Sequence, residues 1–227
     1  MHEDLTPLHG LPLDGIIAPP QQDAQEHPCT LVLLHGYGAN AMDLLGLRDA
    51  IDPGLRCVAM EAPHDLGPMG MPGGRAWFYL QVTDQGDIAY DTAGALAALN
   101  QLAETVPAAV DQAGGKNSIV LGFSQGAMLG HGLALRSGIP MCALAACSGR
   151  LVPEVFDERP LSIPDGFPVF LSHGTHDEII PVASGHAIRA AYESDSNADV
   201  TWVEEPIGHG IGPACTQGLR DWFSKRR

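Results

Sequence analysis

The chain has 227 residues, 45% hydrophobic and 17% charged, the balance of one globular domain with a sizeable core. Its net charge of −15 argues against a nucleic-acid or anionic-membrane binder, because phosphate recognition needs clustered Lys and Arg and the only basic cluster is Lys225-Arg226-Arg227. The five cysteines, Cys29, Cys57, Cys142, Cys147 and Cys215, are odd in number, lack a C-x-x-C spacing and fall largely in apolar runs, which predicts reduced, buried thiols in a cytoplasmic protein. The opening MHEDLTPLHG lacks the charged-then-apolar pattern of a signal peptide, and no apolar run approaches membrane-spanning length.

Apolar runs then alternate with helical patterns along the chain. Residues 1–28 read as an irregular N-terminal segment with one early hairpin around Gly15–Ala18. Thr30–Leu34 reads as a buried strand, and Ala41–Ala50 as a helix with Asn40 as its N-cap. Arg56–Glu61 is a short strand that stops at Pro63. Residues 64–90 form an apolar, glycine-rich loop. Ala93–Ala113 carries apolar residues at helical spacing and ends at Gly114-Gly115. Ile119–Phe123, Ala143–Cys147, Pro168–Ser172 and Val200–Val203 read as strands, with helices over Ala127–Ser137, Val182–Tyr192 and Pro213–Phe223 between and after them. This alternation predicts a single α/β domain, a mostly parallel twisted sheet with helices on both faces. Loops that follow strands then share one sheet edge, where open α/β sheets bind ligands.

One motif stands out in this order. SIVLGFSQG, residues 118–126, places Gly-Phe-Ser-Gln-Gly between a strand and a helix, the arrangement of a nucleophile elbow. Ser124 there needs a base to take its proton, and the base needs a carboxylate that fixes its tautomer. In the hydrolase chain order the acid comes next, then the histidine. Asp177, directly after the strand that ends at Ser172, supplies the acid, with Glu178 as the rival. His209, flanked by Gly208, Gly210 and Gly212 before the last helix, supplies the base. Two oxyanion donors are expected: the backbone N–H of Gln125, at a helix N-terminus, and that of Tyr37, in the His35-Gly36-Tyr37-Gly38 loop. A substrate-binding lip is expected from Leu66, Met69, Met71, Trp77 and Phe78, with Leu151 on the far side. Neither a G-x-G-x-x-G nor a Walker lysine is present, so no nucleotide is expected. His173, His176 and Asp177 make an H-x-x-H-D that could ligate a metal, but without a fourth ligand in the pattern; no metal and no cofactor are expected.

The motifs HGYGANAMDL, GGRAWF, GFSQGAML, CSGRL, HGTHDEIIP and GHGI, in this order, resemble the phospholipase/carboxylesterase family of small serine esterases, which includes the acyl-protein thioesterases, and most of all its bacterial carboxylesterase branch. The resemblance implies an α/β-hydrolase fold without a large cap domain, and hydrolysis of carboxylic esters through an acyl-enzyme. It carries the triad onto Ser124, Asp177 and His209 and the oxyanion donors onto Tyr37 and Gln125. Tyr79 stands where many members have Asp after the W-F pair, and Ala39-Asn40 where thioesterase-type members often have Asp. Both differences favour simple esters over acylated proteins. The expected function is therefore cleavage of short- to medium-chain carboxylic esters, with lysophospholipase or acyl-protein thioesterase as the alternative. A non-catalytic, ligand-sensing hydrolase fold is the reading from another class. The expected partner is a small-molecule ester, with neither nucleic acid nor integral membrane association, and a homodimer is compatible with the sequence.

Overall fold

The computed structural model describes residues 5–21, 24–82, 88–136, 139–152 and 163–227. Strands β1 (Thr6–Pro7) and β2 (Gly15–Ala18) form the early hairpin. They are followed by β3 (Thr30–Leu34), α1 (Leu45–Ile51) and β4 (Arg56–Met60). Two small hairpins occupy the glycine-rich stretch: β5 (His64–Asp65) with β6 (Arg75–Ala76), and β7 (Leu80–Val82) with β8 (Ile88–Tyr90). The remaining elements are α2 (Thr92–Gln112), β9 (Ser118–Phe123), α3 (Gln125–Ala134), β10 (Met141–Cys147), β11 (Pro168–Gly174), α4 (Val182–Asp195), β12 (Asp199–Glu205) and α5 (Pro213–Ser224).

Eight strands pair in the order β1-β2-β4-β3-β9-β10-β11-β12. The first two are antiparallel and all pairings from β4 to β12 are parallel. Together with the helices on both faces this is the α/β-hydrolase fold, and no large cap domain lies among the described residues. The central strands are buried on both sides, so their side chains alternate between two cores rather than between core and water. Leu31 and Leu33 of β3, with Ile119 and Leu121 of β9, face the core closed by α1 and α5. Val32, Leu34 and Val120 face the opposite core, closed by α2, α3 and α4.

Two local differences from the sequence expectation have physical causes. The helix expected from Ala41 begins only at Leu45, because the backbone before it has other partners. Asn40 Oδ1 accepts from Met42 N–H, Asp43 Oδ2 accepts from Asn40 N–H, and Ala41 N–H donates to the Glu61 carboxylate. Asn40 therefore closes a tight turn instead of capping a helix. The thiols are not all buried either: Cys57, Cys147 and Cys215 are, but Cys29 is half-buried and Cys142 exposed, and all five are free.

The crossing of α3 over the sheet leaves no room for side chains. A Cβ on Gly122 would lie 2.3 Å from the Gly126 carbonyl oxygen, and one on Gly126 would lie 2.0 Å from the Leu34 carbonyl oxygen. Gly126→Ala should therefore cost several kcal/mol, on the order of 3 or more, or abolish folding. Gly46→Ala, in α1 with open space around it, should stabilise by about 0.5–1 kcal/mol. Urea unfolding of the two variants checks both signs.

His131 of α3 is fully buried against Tyr192, its Nδ1 2.9 Å from the phenol oxygen. Burial pushes its pKa down to about 3, so it folds neutral. The unfolded chain binds a proton there that the native chain does not, so stability falls as pH drops below about 6.5. Between pH 6.5 and 5, His131→Gln should flatten the dependence of unfolding free energy on pH by about 1 kcal/mol per unit on average, approaching about 1.4 near pH 5. Denaturation midpoints across that window measure it.

Candidate active site

Ser124 sits at the end of β9 with φ 56° and ψ −115°, in a region that non-glycine residues rarely adopt. Ser124 N–H donates to the Cys147 carbonyl of the neighbouring strand, and α3 begins at the next residue. The strained turn lifts the hydroxyl off the sheet, and Oγ lies 2.9 Å from His209 Nε2. On the other side of the ring, His209 Nδ1 lies 2.7 Å from Asp177 Oδ2. Since Oδ2 is an acceptor, Nδ1 carries the proton and Nε2 presents its lone pair to the Ser124 hydroxyl.

The loop that holds Asp177 follows β11. The carboxylate is wholly buried, and Oδ1 accepts from the N–H groups of both Ile179 and Ile180 at 2.9 and 2.8 Å. One oxygen thus anchors the loop while the other faces His209. His173 Nε2 lies 2.7 Å from the Ile180 carbonyl and 3.4 Å from Asp177 Oδ2, so its ring packs beneath the carboxylate. Glu178, the rival acid, is exposed, as is His176. Among the described residues no cluster of three or more His, Cys, Asp or Glu side chains could hold a metal ion.

The His209 loop is tied to the acid loop and to α5. His176 N–H donates to the Ile207 carbonyl and Thr175 N–H to that of Glu205. A Cβ on Gly174 would lie 2.3 Å from the Gly208 carbonyl oxygen, so the two loops touch through bare backbone. The buried Glu205 carboxylate accepts from the N–H groups of Gly212, Ala214 and Cys215. It closes the open N-terminus of α5, where a negative charge is also favoured by the helix dipole, and so fixes the far end of the loop that carries His209.

The third loop is the HGYG segment after β3. A Cβ on Gly36 would lie 3.3 Å from Ser124 Cβ, which places the Gly36–Tyr37 backbone beside the serine. His35 organises the loop from beneath. Ala62 N–H donates to its Nε2, Nδ1–H donates to the Gly36 carbonyl, and its own carbonyl accepts from Trp77 Nε1–H. A ring that both donates and accepts must be neutral, and burial lowers its pKa accordingly. The upper side of the loop is held by Gly38 N–H on the Arg75 carbonyl and Arg75 N–H on the Ala39 carbonyl. Arg75 in turn pairs with Glu61 at 3.2 Å.

The Gln125 side chain has a role that sequence reasoning did not assign. Its Oε1 accepts from Trp77 N–H and its Nε2 donates to the Phe78 carbonyl, which clamps the GGRAWF segment onto the elbow. The residues expected as a substrate lip separate into two groups. Leu66, Trp77 and Phe78 are fully buried, the last two in the core shared with α2 and α3. Met69 and Met71 are exposed, and Met71 Sδ would be 3.6 Å from a Cβ on Gly38. Leu151 is half-buried against the core, and the continuation of its segment lies outside the described residues. An open cleft of about 340 Å³ reaches His209 and Phe123, the residue before the serine, and is lined further by Leu44 and Ile211 with Gly36, Ala39 and Asp43. Sequence reading gave no signal for it: Leu44 looked like a helix-interior residue and Ile211 like part of a glycine-rich loop. Phe123 packs against His209, with ring centroids 4.9 Å apart and the planes tilted by 44°.

Comparison with known proteins places the chain among esterases by sequence and fold. Esterase PE8 is 30% identical, with 94% of this chain and 98% of that one superposed at a TM-score of 0.75. The carboxylesterase from Mesorhizobium loti superposes at a TM-score of 0.80 over 98% of this chain and 99% of that one, at 22% identity. Acyl-protein thioesterase 1 from Kluyveromyces lactis is 31% identical over 130 residues, 56% of each chain, so the match spans a little over half of that relative. The family model for phospholipases and carboxylesterases matches residues 17–225. The chain belongs to the phospholipase/carboxylesterase family and is a hydrolase of the carboxylic-ester class.

Proposed function

We propose that the protein hydrolyses short- to medium-chain carboxylic esters through an acyl-enzyme on Ser124. The observation that carries this reading is the unbroken chain from Ser124 Oγ through both ring nitrogens of His209 to the buried Asp177 carboxylate. His209 Nε2 takes the hydroxyl proton as Oγ attacks the acyl carbonyl, and the resulting imidazolium is stabilised by Asp177. The oxyanion is met by Gln125 N–H, at the start of α3, and Tyr37 N–H, beside the serine on the braced HGYG loop. Collapse of the tetrahedral intermediate transfers the imidazolium proton to the leaving alcohol. Water, deprotonated by His209, then attacks the acyl carbon and releases the acid and Ser124. None of these steps requires a cofactor.

The cleft by Leu44, Phe123 and Ile211 receives one arm of the ester. Its volume lies at the lower end of small-molecule pockets, which favours short and medium chains. Met69 and Met71 edge the other side, while Leu66, Trp77 and Phe78 act as supports for that segment and not as contact residues. The thioesterase reading is favoured by the likeness to the Kluyveromyces protein, and rates on matched oxygen esters and thioesters decide between the two. The five free thiols suit a reducing, cytoplasmic setting.

Ser124→Ala should lower kcat on activated esters on the order of 10⁴-fold or more, and a fluorophosphonate probe should label Ser124 alone. Full activity in the variant, or labelling elsewhere, overturns the assignment. Asp177→Asn should cost on the order of 10⁴ in kcat by favouring the wrong imidazole tautomer, while Glu178→Gln leaves it nearly unchanged. Leu44→Ala should raise KM for butyrate or hexanoate esters by about tenfold relative to acetate, from roughly 0.8 kcal/mol per methylene that loses contact. Met71→Ala showing the larger selectivity change would place the acyl chain on the methionine side instead.

A further inference from the structure

A half-buried and an exposed thiol meet at the end of the sheet opposite the triad. Cys29 immediately precedes β3 and Cys142 is the second residue of β10, and their Sγ atoms are 3.3 Å apart although 113 residues separate them in sequence. These strands are not neighbours, since β9 lies between them. Two ladder spacings, roughly 9–10 Å, normally keep side chains on such strands from touching. A bulge removes the obstacle here. Met141 pairs with Ser118 and Ala143 with Ile119, leaving Cys142 as the extra residue. Its thiol leans over the start of β9, 3.2 Å from the Ser118 carbonyl, and reaches the thiol of Cys29.

The surroundings favour a thiolate. Cys29 is held well below its ordinary pKa, at about 5, first by the Cys142 thiol beside it and then by the His27 ring. Cys142 is correspondingly raised, because it keeps the proton next to a sulfur that has lost one. Arg226, stacked on Trp222 with its guanidinium carbon 3.8 Å from the ring centroid and paired with Asp199, places a positive charge near Cys142. The other sulfurs differ in access rather than in pairing: all three are buried, although Cys215 too is held below its ordinary pKa, first by the Cys147 thiol. Cys57 is fully buried with a raised pKa, and Cys147 and Cys215 lie 3.8 Å apart inside the core, where Ser172 Oγ sits 3.0 Å from Cys215.

We propose that Cys29 and Cys142 form an oxidisable dithiol site that reacts with hydrogen peroxide and closes to a reversible disulfide joining the segment before β3 to β10 across β9. The Cys29 thiolate attacks one peroxide oxygen and the O–O bond breaks. With one proton taken up, the products are a Cys29 sulfenic acid and water. Cys142 Sγ then attacks the sulfenic sulfur and its own proton leaves with the hydroxyl as a second water. In sum two thiols are oxidised to one disulfide and one peroxide is reduced to two waters. Ser124 and His209 take no part, since β9 holds Ser124 at its other end, roughly 20 Å away by strand rise.

The test uses the full chain treated with hydrogen peroxide under native conditions, then alkylated in denaturant, digested and mapped by mass spectrometry. The expected product is a Cys29–Cys142 linked peptide two hydrogens lighter than the reduced pair and lost on treatment with dithiothreitol, with Cys57, Cys147 and Cys215 alkylated. In Cys142→Ser, Cys29 should instead be trapped by dimedone as the sulfenic acid. Native alkylation at pH 6 should modify Cys29 about tenfold faster than free cysteine, the gain in thiolate fraction being partly offset by lower intrinsic nucleophilicity. Closing so long a loop should raise Tm of the oxidised protein by roughly 10 °C. A Cys147–Cys215 link, disulfide-bonded dimers, or Cys29 passing to sulfinic acid with Cys142 still free would each overturn the proposal.

Discussion

The arrangement depends on one close approach: the first turn of α3 against the ends of β3 and β9. Gly122 and Gly126 let helix backbone meet strand backbone where a methyl group would overlap carbonyl atoms by more than an ångström. That approach forces the sharp turn at Ser124, whose φ of 56° is held by α3 on one side and by the Cys147 carbonyl on the other. Strain of this kind persists only where the surrounding structure over-determines it. Here two parallel strands, a buried helix and the Gln125 clamp all act on the same few residues.

Around that fixed point the three loops are positioned by backbone hydrogen bonds and buried polar side chains rather than by apolar packing. Glu205 closes α5, Asp177 anchors its own loop through Oδ1, and His35 holds the HGYG loop from below. Each carboxylate or ring has its charge or lone pairs met by specific N–H donors, which makes burial tolerable. The same residues that make the triad geometry therefore also set where the loops can lie. A buried carboxylate whose second oxygen is spent on backbone has little freedom to rotate away from the histidine.

Much of this was legible in the sequence, for identifiable reasons. The central strands showed because double burial gives continuous apolar runs, and the elbow showed because steric crowding leaves glycine the only residue at two positions. Asp177 and His209 were readable from chain order, since both follow strands at the sheet edge where Ser124 emerges. What stayed hidden depends on long-range partners. Nothing local shows that Glu61 will take Ala41 N–H and so shorten α1, or that Gln125 will reach Trp77 and Phe78. Trp77 and Phe78 looked like a lip because glycines surround them, yet the glycines serve the turns while the rings fill the core. Cys29 and Cys142, each just before an expected strand, read only as reduced, buried thiols. Only the bulge, which no propensity encodes, brings them together.

The two ends of the sheet thus divide two kinds of chemistry. At the carboxyl ends, the proposed chemistry runs through a preorganised set of hydrogen bonds from Ser124 through His209 to Asp177. At the amino ends, Cys29 is held below the ordinary thiol pKa by the neighbouring Cys142 thiol and the His27 ring. Separation follows from the parallel sheet itself: every crossover returns the chain to the same edge, so loops at one edge are built for the triad and those at the other are free to vary. Because Ser124 directly follows β9 at one end and the two cysteines flank β9 at the other, a covalent tie there would brace the strand on which the elbow is built. The tie would act through the stability of the sheet and not through any contact with substrate.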